Sequence, residues 1–366
     1  MSIMEDGGQL IRAMLFVCTG CTICCNAGAG EADWHISGFG TIAGAMTDED
    51  VAEYRTEQTQ SKGATSDVDW GLHSVLGMKL SVDLGEQWSL TTQAVARRNG
   101  SDDLVPNLDW LYLSYHPRSW FDLRAGRFIM PAFLLSDYLE VGYAQPTIGP
   151  PAHVYIQGSI STFEGLQLFN RFPVGTGSLS IQTSAGSSEA DIYVQSPDFK
   201  LVFDINNLAS INANYEWNNW LLRAGFLQAD FSPDPLYTLE TKFTSLGVQY
   251  DNGKLLFIAE RITRESEPIT DSVTAQYILA GWHFGKWLPS ITYSEANVEY
   301  IWLVNVQADS EATALTLRYD LSRSTAIKLQ WEQVPPTADA LWLNPYPAFL
   351  AGKDREIVSF GLDFVF

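Results

Sequence analysis

Long apolar runs are missing from this sequence. No stretch of about 18 apolar residues occurs in it, which excludes a transmembrane helix. Charged residues are scarce at 18% while aromatic residues reach 13%, and this combination excludes an intrinsically disordered chain. Inside lipid every backbone N–H and C=O group needs a partner, so a closed β-barrel is the only other structure that can span a membrane.

Cysteine is absent beyond Cys25. The four cysteines lie within an apolar segment, Leu10 to Cys25, which small residues follow at positions 27–29. Such a segment is typical of a secretory signal peptide, so we expect residues 1–29 to be cleaved and residues 30–366 to form the mature protein. A mature chain without cysteine crosses an oxidising periplasm without forming stray disulfides. Alternatives for the cysteines are a metal-binding cluster and lipidation of Cys21.

The last ten residues alternate between apolar side chains and small or polar ones. Successive side chains of a strand face opposite sides, so this pattern predicts a strand with one apolar face. The final Phe resembles the ending by which outer-membrane barrel proteins are handed to the barrel assembly machinery. We therefore predict an assembly signal formed by the apolar residues of this face: Phe360, Leu362, Phe364 and Phe366.

The same alternation recurs from about Trp34 to Phe366 and gives sixteen strand candidates, joined in turn by tight turns and longer connections. The second candidate, for example, runs from Trp70 to Leu84. Lys200 to Ile205 has the pattern of an additional strand, and we place it as an extension within an outer loop. An even number of strands with short turns on one side is typical of bacterial outer-membrane barrels, and Trp and Tyr at strand ends fit their aromatic girdles.

We therefore predict an all-β fold, a sixteen-stranded antiparallel transmembrane β-barrel with short periplasmic turns and longer outer loops. A secreted β-sandwich or propeller is the alternative, because its strands also alternate. Strands in soluble folds average about 5 to 6 residues, whereas the candidates here are longer. Their polar faces carry Arg, Lys, Asp, Gly and Ser, as the wall of a water-filled lumen would.

The segment from Leu123 to Pro131, with the sequence LRAGRFIMP, resembles the porins of Gram-negative outer membranes. In that superfamily a fifth strand ending in an Arg-Gly-Arg-like element leads into a third loop that folds into the pore. The resemblance extends to residues 36–40 and to the terminal Phe. It implies a trimer of sixteen-stranded barrels and passive diffusion of small hydrophilic solutes or ions. The same segment is also similar to that of phosphate- and carboxylate-selective relatives.

Basic residues recur at positions that share the polar face of their strands. Near the membrane midplane an ionised Arg or Lys on the lipid face costs roughly 2–4 kcal/mol, so we place these residues inside. The predicted basic channel wall consists of Lys79, Arg97, Arg124, Arg171, Arg223, Arg318 and Lys328. The alternative is that some of them only pair with nearby acids, namely Asp83, Asp122, Asp320 or Glu332.

The third connection, from Ile129 to Ile160, contains Asp137 and Glu140 and several prolines that would stiffen it. Folded inward, it would be a constriction loop that sets both carboxylates against the basic wall. Fixed charges arranged in this way select among small solutes. The alternative is a loop that only caps the barrel or packs in a subunit interface.

Acidic residues are concentrated in the outer connections, above all in the first, where Asp48, Glu49, Asp50, Glu53, Glu57 and Asp67 occur. They are candidates to bind Ca²⁺ or Mg²⁺ bridging to lipopolysaccharide phosphates, or they form a solvated surface. We predict no cofactor and no other metal site. We predict no nucleic acid as a partner. The expected partners are the lipid bilayer, lipopolysaccharide, the assembly machinery and small hydrophilic solutes.

Motifs of the commonest hydrolases are absent, since the sequence contains neither G-x-S-x-G nor H-E-x-x-H. The five histidines are scattered singly. We therefore predict no enzymatic activity. A barrel that serves as an adhesin or as an envelope anchor remains the alternative function, and unusually long outer loops would favour it.

Overall fold

The computed structural model describes residues 33–48, 50, 53–98, 103–158, 161–193, 200–234, 237–268, 271–300, 306–335, 343–344 and 354–366. The predicted signal peptide, residues 1–29, lies outside this set and stays a prediction. No helix among the described residues is long and apolar enough to cross a membrane.

Sixteen antiparallel strands of the described chain close into one barrel, and two short strands pair with each other outside it. In chain order the strands are β1 (Trp34–Thr47), β2 (Glu53–Tyr54), β3 (Val75–Asp83), β4 (Trp88–Arg98), β5 (Leu104–Arg118), β6 (Phe121–Ile129), β7 (Thr162–Val174), β8 (Gly177–Tyr193), β9 (Lys200–Trp217), β10 (Trp220–Asp234), β11 (Tyr237–Asp251), β12 (Leu255–Glu267), β13 (Asp271–Trp282), β14 (Trp287–Tyr300), β15 (Val306–Asp320), β16 (Thr325–Val334), β17 (Leu343–Asn344) and β18 (Arg355–Val365). Each barrel strand pairs with the next one along the chain, and β1 pairs with β18 to close the circle. The predicted all-β fold, a closed antiparallel barrel of sixteen strands, is therefore confirmed.

The barrel is closed by β1 and β18, whose register sets Gly40 opposite Phe364. Beyond this ladder, Gly38 and Phe366 exchange two backbone hydrogen bonds of 2.9 Å. A Cβ atom on Gly38 would overlap the ring of Phe366, so glycine is what lets this ring lie across the neighbouring strand. The terminal aromatic residue is thus part of the closing seam.

The two faces of the barrel wall differ in polarity as the alternation predicts. Outward positions are apolar and exposed, with Ile36 60% and Leu246 56% accessible. Inward positions include buried polar residues such as Asn212, Ser245 and Asp363. A barrel that is apolar outside and polar inside is suited to lipid on one face and water on the other.

Aromatic pairs lie at one end of the barrel, where turns of two to four residues join the strands. Trp88 packs against Tyr115, Trp220 against Tyr250, and Trp287 against Tyr319, with ring centroids 4.4 to 4.6 Å apart. Amphipathic rings favour the membrane–water interface, so this end of the barrel carries the predicted aromatic girdle.

Two predicted boundaries are wrong. Lys200 to Ile205 does not belong to a loop, because these residues continue β9 and pair with β8 as far as Tyr193. The register of the β8–β9 pair shifts between Gly186 and Ser188, but the same two strands pair on both sides of the shift. Lys200 to Ile205 therefore adds length to β9, and the barrel still has sixteen strands. The second strand begins at Val75 and not at Trp70, since residues 70–74 form a turn whose backbone N–H groups bind the Asp69 carboxylate.

The third loop (residues 130–161) contains two 3₁₀ turns, Ser136–Tyr138 and Gly142–Ala144, and one short helix, α1 (Ala152–Tyr155). Its apolar residues are buried inside the barrel, where Phe133 stacks on Tyr155 at 4.5 Å and meets Phe243 of β11 at 5.2 Å. The third loop therefore packs against the inward face of β11.

The first loop (residues 48–74) lies against the third loop. Tyr54 and Ala64 of the first loop belong to the same buried apolar cluster as Ala152 and Ile156 of the third. The short strand β2 pairs with β17, which ties the first loop to the connection between β16 and β18.

Candidate channel constriction

The start of the third loop is fixed to β10 and β12. Arg223 of β10 donates a hydrogen bond of 2.7 Å to the carbonyl oxygen of Pro131. Glu260 of β12 accepts one from the Leu134 N–H group at 2.6 Å and one from the Tyr155 hydroxyl at 2.7 Å. Both side chains face the lumen and use their charge to bind loop groups that would otherwise be buried without partners.

The middle of the third loop is fixed to β15 and β16. Arg318 donates hydrogen bonds to the carbonyl oxygens of Tyr143 at 2.7 Å and Gln145 at 2.9 Å. Lys328 donates to those of Gly142 and Thr147, both at 2.7 Å. Three of the seven predicted wall bases, counting Arg223, therefore bind the loop backbone.

Lys328 also forms an ion pair of 2.8 Å with Asp363 of β18, and the two side chains are 1% and 2% exposed. Thr41 of β1 donates a further hydrogen bond of 2.6 Å to Asp363. A Cβ atom on Gly142 would overlap Thr41 and Asp363, so the loop backbone approaches the wall closely here. The loop thus lies against the seam side of the barrel.

Arg97 of β4 lies between the wall and Glu140 of the third loop. Its guanidinium group binds Asp109 of β5 with two hydrogen bonds of 2.7 and 3.2 Å. Its Nε atom lies 3.6 Å from a carboxylate oxygen of Glu140. Burial raises the pKa of Glu140 to about 7; Arg97 opposes this effect, while Glu57 and Asp109 add to it. One guanidinium group is therefore shared between two carboxylates.

The remaining wall bases lie among aromatic rings on β5–β7. Arg124 binds Asp122 at 2.7 and 2.8 Å, and its guanidinium group lies over the rings of Tyr112 and Phe169 at 5.6 and 5.3 Å. Arg171 is exposed, and its guanidinium group lies 5.6 Å from the centroid of the same Phe169 ring. A cation over the face of an aromatic ring is attracted by the ring quadrupole, which favours these positions of the guanidinium groups.

Lys79 of β3 extends this group, because its ammonium group lies 5.0 Å from the ring centroid of Trp110. We call Lys79, Arg124 and Arg171 the basic face. Wall side chains of β10, β12, β15 and β16 bind the backbone of the third loop, and Arg97 of β4 contacts its Glu140 side chain. The basic face lies on β3, β6 and β7, outside these strands.

The predicted loop acids occupy different environments. Asp137 is exposed in the 3₁₀ turn Ser136–Tyr138, whereas Glu140 is largely buried beside Arg97. The alternative that wall bases pair with neighbouring acids holds for Arg124 with Asp122, and also for Arg318, which binds Asp320 at 2.8 Å.

The other two acids of that alternative pair differently. Glu332 accepts hydrogen bonds from Tyr54 and Gln330, and Asp83 lies 3.9 Å from the imidazole of His35. Among the described residues, the side chains of Asp33, His35 and Asp83 lie close enough together to hold a metal ion. All three are exposed, at the short-turn end of the barrel. The predicted Ca²⁺ or Mg²⁺ sites in the outer loops stay a prediction.

An apolar exterior, a polar lumen and a loop fixed inside it define a transmembrane channel barrel. Comparison with known families agrees: residues 19–334 match the family model of the Gram-negative porins, and the chain belongs to this family. It is therefore an outer-membrane protein.

Solved structures of three outer-membrane proteins share the fold. OmpF of Salmonella typhi, in complex with daunomycin, has a TM-score of 0.63 at 10% identity over 91% of this chain and 97% of its own. The anion-selective porin of Comamonas acidovorans has a TM-score of 0.60 at 13% identity over 92% and 100%. OmpT of Vibrio cholerae, in its trimer form, has a TM-score of 0.58 at 10% identity over 91% of this chain and 99% of its own. No curated protein sequence matched the chain.

Proposed function

We propose that this outer-membrane channel conducts small hydrophilic solutes by passive diffusion, with its constriction between the third loop and the basic face. The observation that carries the proposal is the attachment of the loop to one side of the wall, through Arg223, Glu260, Arg318 and Lys328. The opposite side then presents unblocked charged groups to water. A sixteen-stranded barrel is wide enough to hold an aqueous channel.

We also propose that the basic face favours anions. Arg171 and Lys79 have no carboxylate within ion-pair distance among the described residues, while Arg124 is offset by Asp122. A surplus of positive charge at the narrowest point lowers the energy of a passing anion. One structural neighbour is described as an anion-selective porin, which is consistent with this choice. Phosphate and small carboxylates are the solutes of matching charge.

We further propose a homotrimer that carries out transport without catalysis. The exposed apolar faces of β1 and β3, with Ile36 and Met78, offer surface for contact with a second copy. OmpT of Vibrio cholerae, a structural neighbour, is described in a trimer form. Lipopolysaccharide and the barrel assembly machinery are the other partners we propose, the latter through Phe360, Leu362, Phe364 and Phe366.

Reconstituted protein should form channels. In liposomes, we expect swelling to be fast with small sugars and to slow as the sugar becomes larger, because the aqueous pore sieves by size. In planar bilayers, we expect stepwise conductance at low voltage without any energy source. Folded protein that gives neither swelling nor conductance would contradict the channel and favour the adhesin or anchor function.

Deleting Phe366 should reduce the amount of assembled barrel. The deletion removes the two backbone hydrogen bonds with Gly38, each worth roughly 0.5–1.5 kcal/mol. The backbone N–H and C=O groups of Gly38 are then unpaired at the short-turn end of the seam, which is costly in lipid. The fraction of heat-modifiable protein in outer membranes measures this effect. Phe284→Ala is the matched control, since Phe284 is an exposed aromatic residue of a short turn outside the seam. Equal losses in both variants would refute the assembly signal.

A further inference from the structure

A cavity of about 130 Å³ lies between the first loop, the third loop and the wall strands β4 and β5. Three carboxylates line it, one from each of these parts: Glu57 from the first loop, Glu140 from the third and Asp109 from β5. Neither the sequence pattern nor the proposed constriction accounts for this convergence. The three acids come from chain segments far apart in sequence, so the cavity exists only in the folded barrel.

Bases at the cavity do not balance these acids. Arg97 is held by Asp109 through two hydrogen bonds, and Glu140 reaches only its Nε atom at 3.6 Å. Arg98 forms an ion pair of 2.6 Å with Asp69, which lies outside the cavity lining. The lining therefore holds three carboxylates against two guanidinium groups, one of which is already paired with Asp69, so negative charge is in excess.

The histidine of the lining adds no charge at neutral pH. Burial lowers the pKa of His73 to about 4, so its imidazole is neutral there. Removing a carboxylate from water is costly, and this cost raises the pKa of Glu140 to about 7 although Arg97 offsets part of it. A bound cation would remove that cost.

Thr, Ser and Gln side chains form part of the remaining lining, and apolar side chains form another part. The apolar part consists of Met130, Phe133, Leu139, Ile148 and Tyr155. A hydrated metal ion gains nothing from such a surface, whereas an alkyl or aryl group is desolvated favourably on it. The combination of two available carboxylates and an apolar wall selects a cation with a hydrophobic body.

We propose that this cavity binds a small organic cation, a primary ammonium or guanidinium group on a short apolar body, with Glu57 and Glu140 as its carboxylate partners. The proposal relies on the proposed channel only for the route by which the solute enters. Because one partner belongs to the first loop and the other to the third, the bound cation would tie the two loops together above the constriction.

Isothermal titration of the folded, detergent-purified protein with n-butylammonium tests the proposal directly. We expect saturable binding that weakens about tenfold in Glu140→Gln and in Glu57→Gln, since each loses one charge-assisted contact. Glu164→Gln is the matched control, because Glu164 is an exposed carboxylate that pairs with Arg127 on the outer face of the barrel. This control should bind as the wild type does.

The wild type alone provides a second measurement if a variant fails to fold. Glu140 loses its proton as the pH rises through about 7, so n-butylammonium should bind more tightly at pH 8 than at pH 6. The groups that face Glu140 are Arg97, Asp109 and Glu57, and the neutral His73 shares the lining.

Several results would overturn the proposal. They are absence of n-butylammonium binding, equal binding of n-butyrate, tighter binding of Mg²⁺, or equal affinity in both Gln variants and the control. Planar bilayers separate this proposal from the proposed function. Binding without conductance would refute only the channel, whereas conductance without n-butylammonium binding would refute only the cation site.

Discussion

Replacing Lys328 with Met is expected to free the middle of the third loop and to raise the single-channel conductance severalfold. The ammonium group of Lys328 binds two loop carbonyl oxygens and the carboxylate of Asp363. Removing it takes the charged donor away from all three, although the Asp363 carboxylate keeps the Thr41 hydroxyl and the Gly142 carbonyl oxygen keeps the Gln145 N–H group. Breaking a buried ion pair by removing one partner costs about 3–5 kcal/mol, so the folded barrel should also unfold at a lower temperature.

A double variant separates the two effects. Lys328→Met with Asp363→Leu removes the uncompensated carboxylate, so we expect part of the lost thermal stability to return. The conductance should stay high, because the carbonyl oxygens of Gly142 and Thr147 in the loop still lack the ammonium donor of Lys328.

Lys254→Met is the matched control for both measurements. Lys254 lies over the ring of Trp282, near a short turn and away from the third loop. Conductance should be unchanged in this variant. If Lys328→Met also left the conductance unchanged, the loop would be held by its other contacts and Lys328 would not position the constriction.

The parity of the wall bases could be predicted from the sequence, but most of their partners could not. Alternation with a period of two assigns Arg223, Arg318 and Lys328 to the lumen, where the structure places them. Their partners are backbone carbonyl oxygens of the third loop. Every residue carries such a group, so no residue type marks it in a sequence.

Asp109 shows where strict alternation fails. Counted back from the outward Leu111, Asp109 should face outward as well. The β4–β5 register sets Gln93 opposite Trp110 and Ala94 opposite Leu108, so Asp109 is the extra residue of a β-bulge. The bulge turns its carboxylate inward to Arg97. A bulge is set by the pairing of two strands, and the sequence of one strand does not show it.

Glu260 was open to prediction and was missed. It lies between Ile258 and Ile262 of β12, which both face inward, so Glu260 faces inward as well. An acid on this face of the strand needs a partner inside the barrel. The fold of the first loop is a different case. Its strand β2 pairs with β17 near the other end of the chain, and local pattern carries no information on that contact.

Replacing Arg124 with Glu is expected to shift the permeability ratio of the channel towards cations by severalfold or more. Arg124 projects from β6 into the lumen with 25% of its side chain exposed, so a passing ion meets its charge. At roughly 4 Å, one unit charge is worth about 1 to 4 kcal/mol in an effective dielectric of about 80 to 20. The substitution also leaves Asp122 without its partner, so both changes favour cations.

Reversal potentials under a salt gradient measure this shift. Arg124→Gln should give a smaller shift of the same sign, and Asp137→Lys or Glu140→Lys a shift of the opposite sign. Arg127→Gln is the matched control, because Arg127 lies three residues along the same strand and pairs with Glu164 on the outer face. Its reversal potential should equal that of the wild type. If Arg124→Glu behaved like this control, ions would not pass the basic face, and the narrowest part of the channel would lie between the first and third loops.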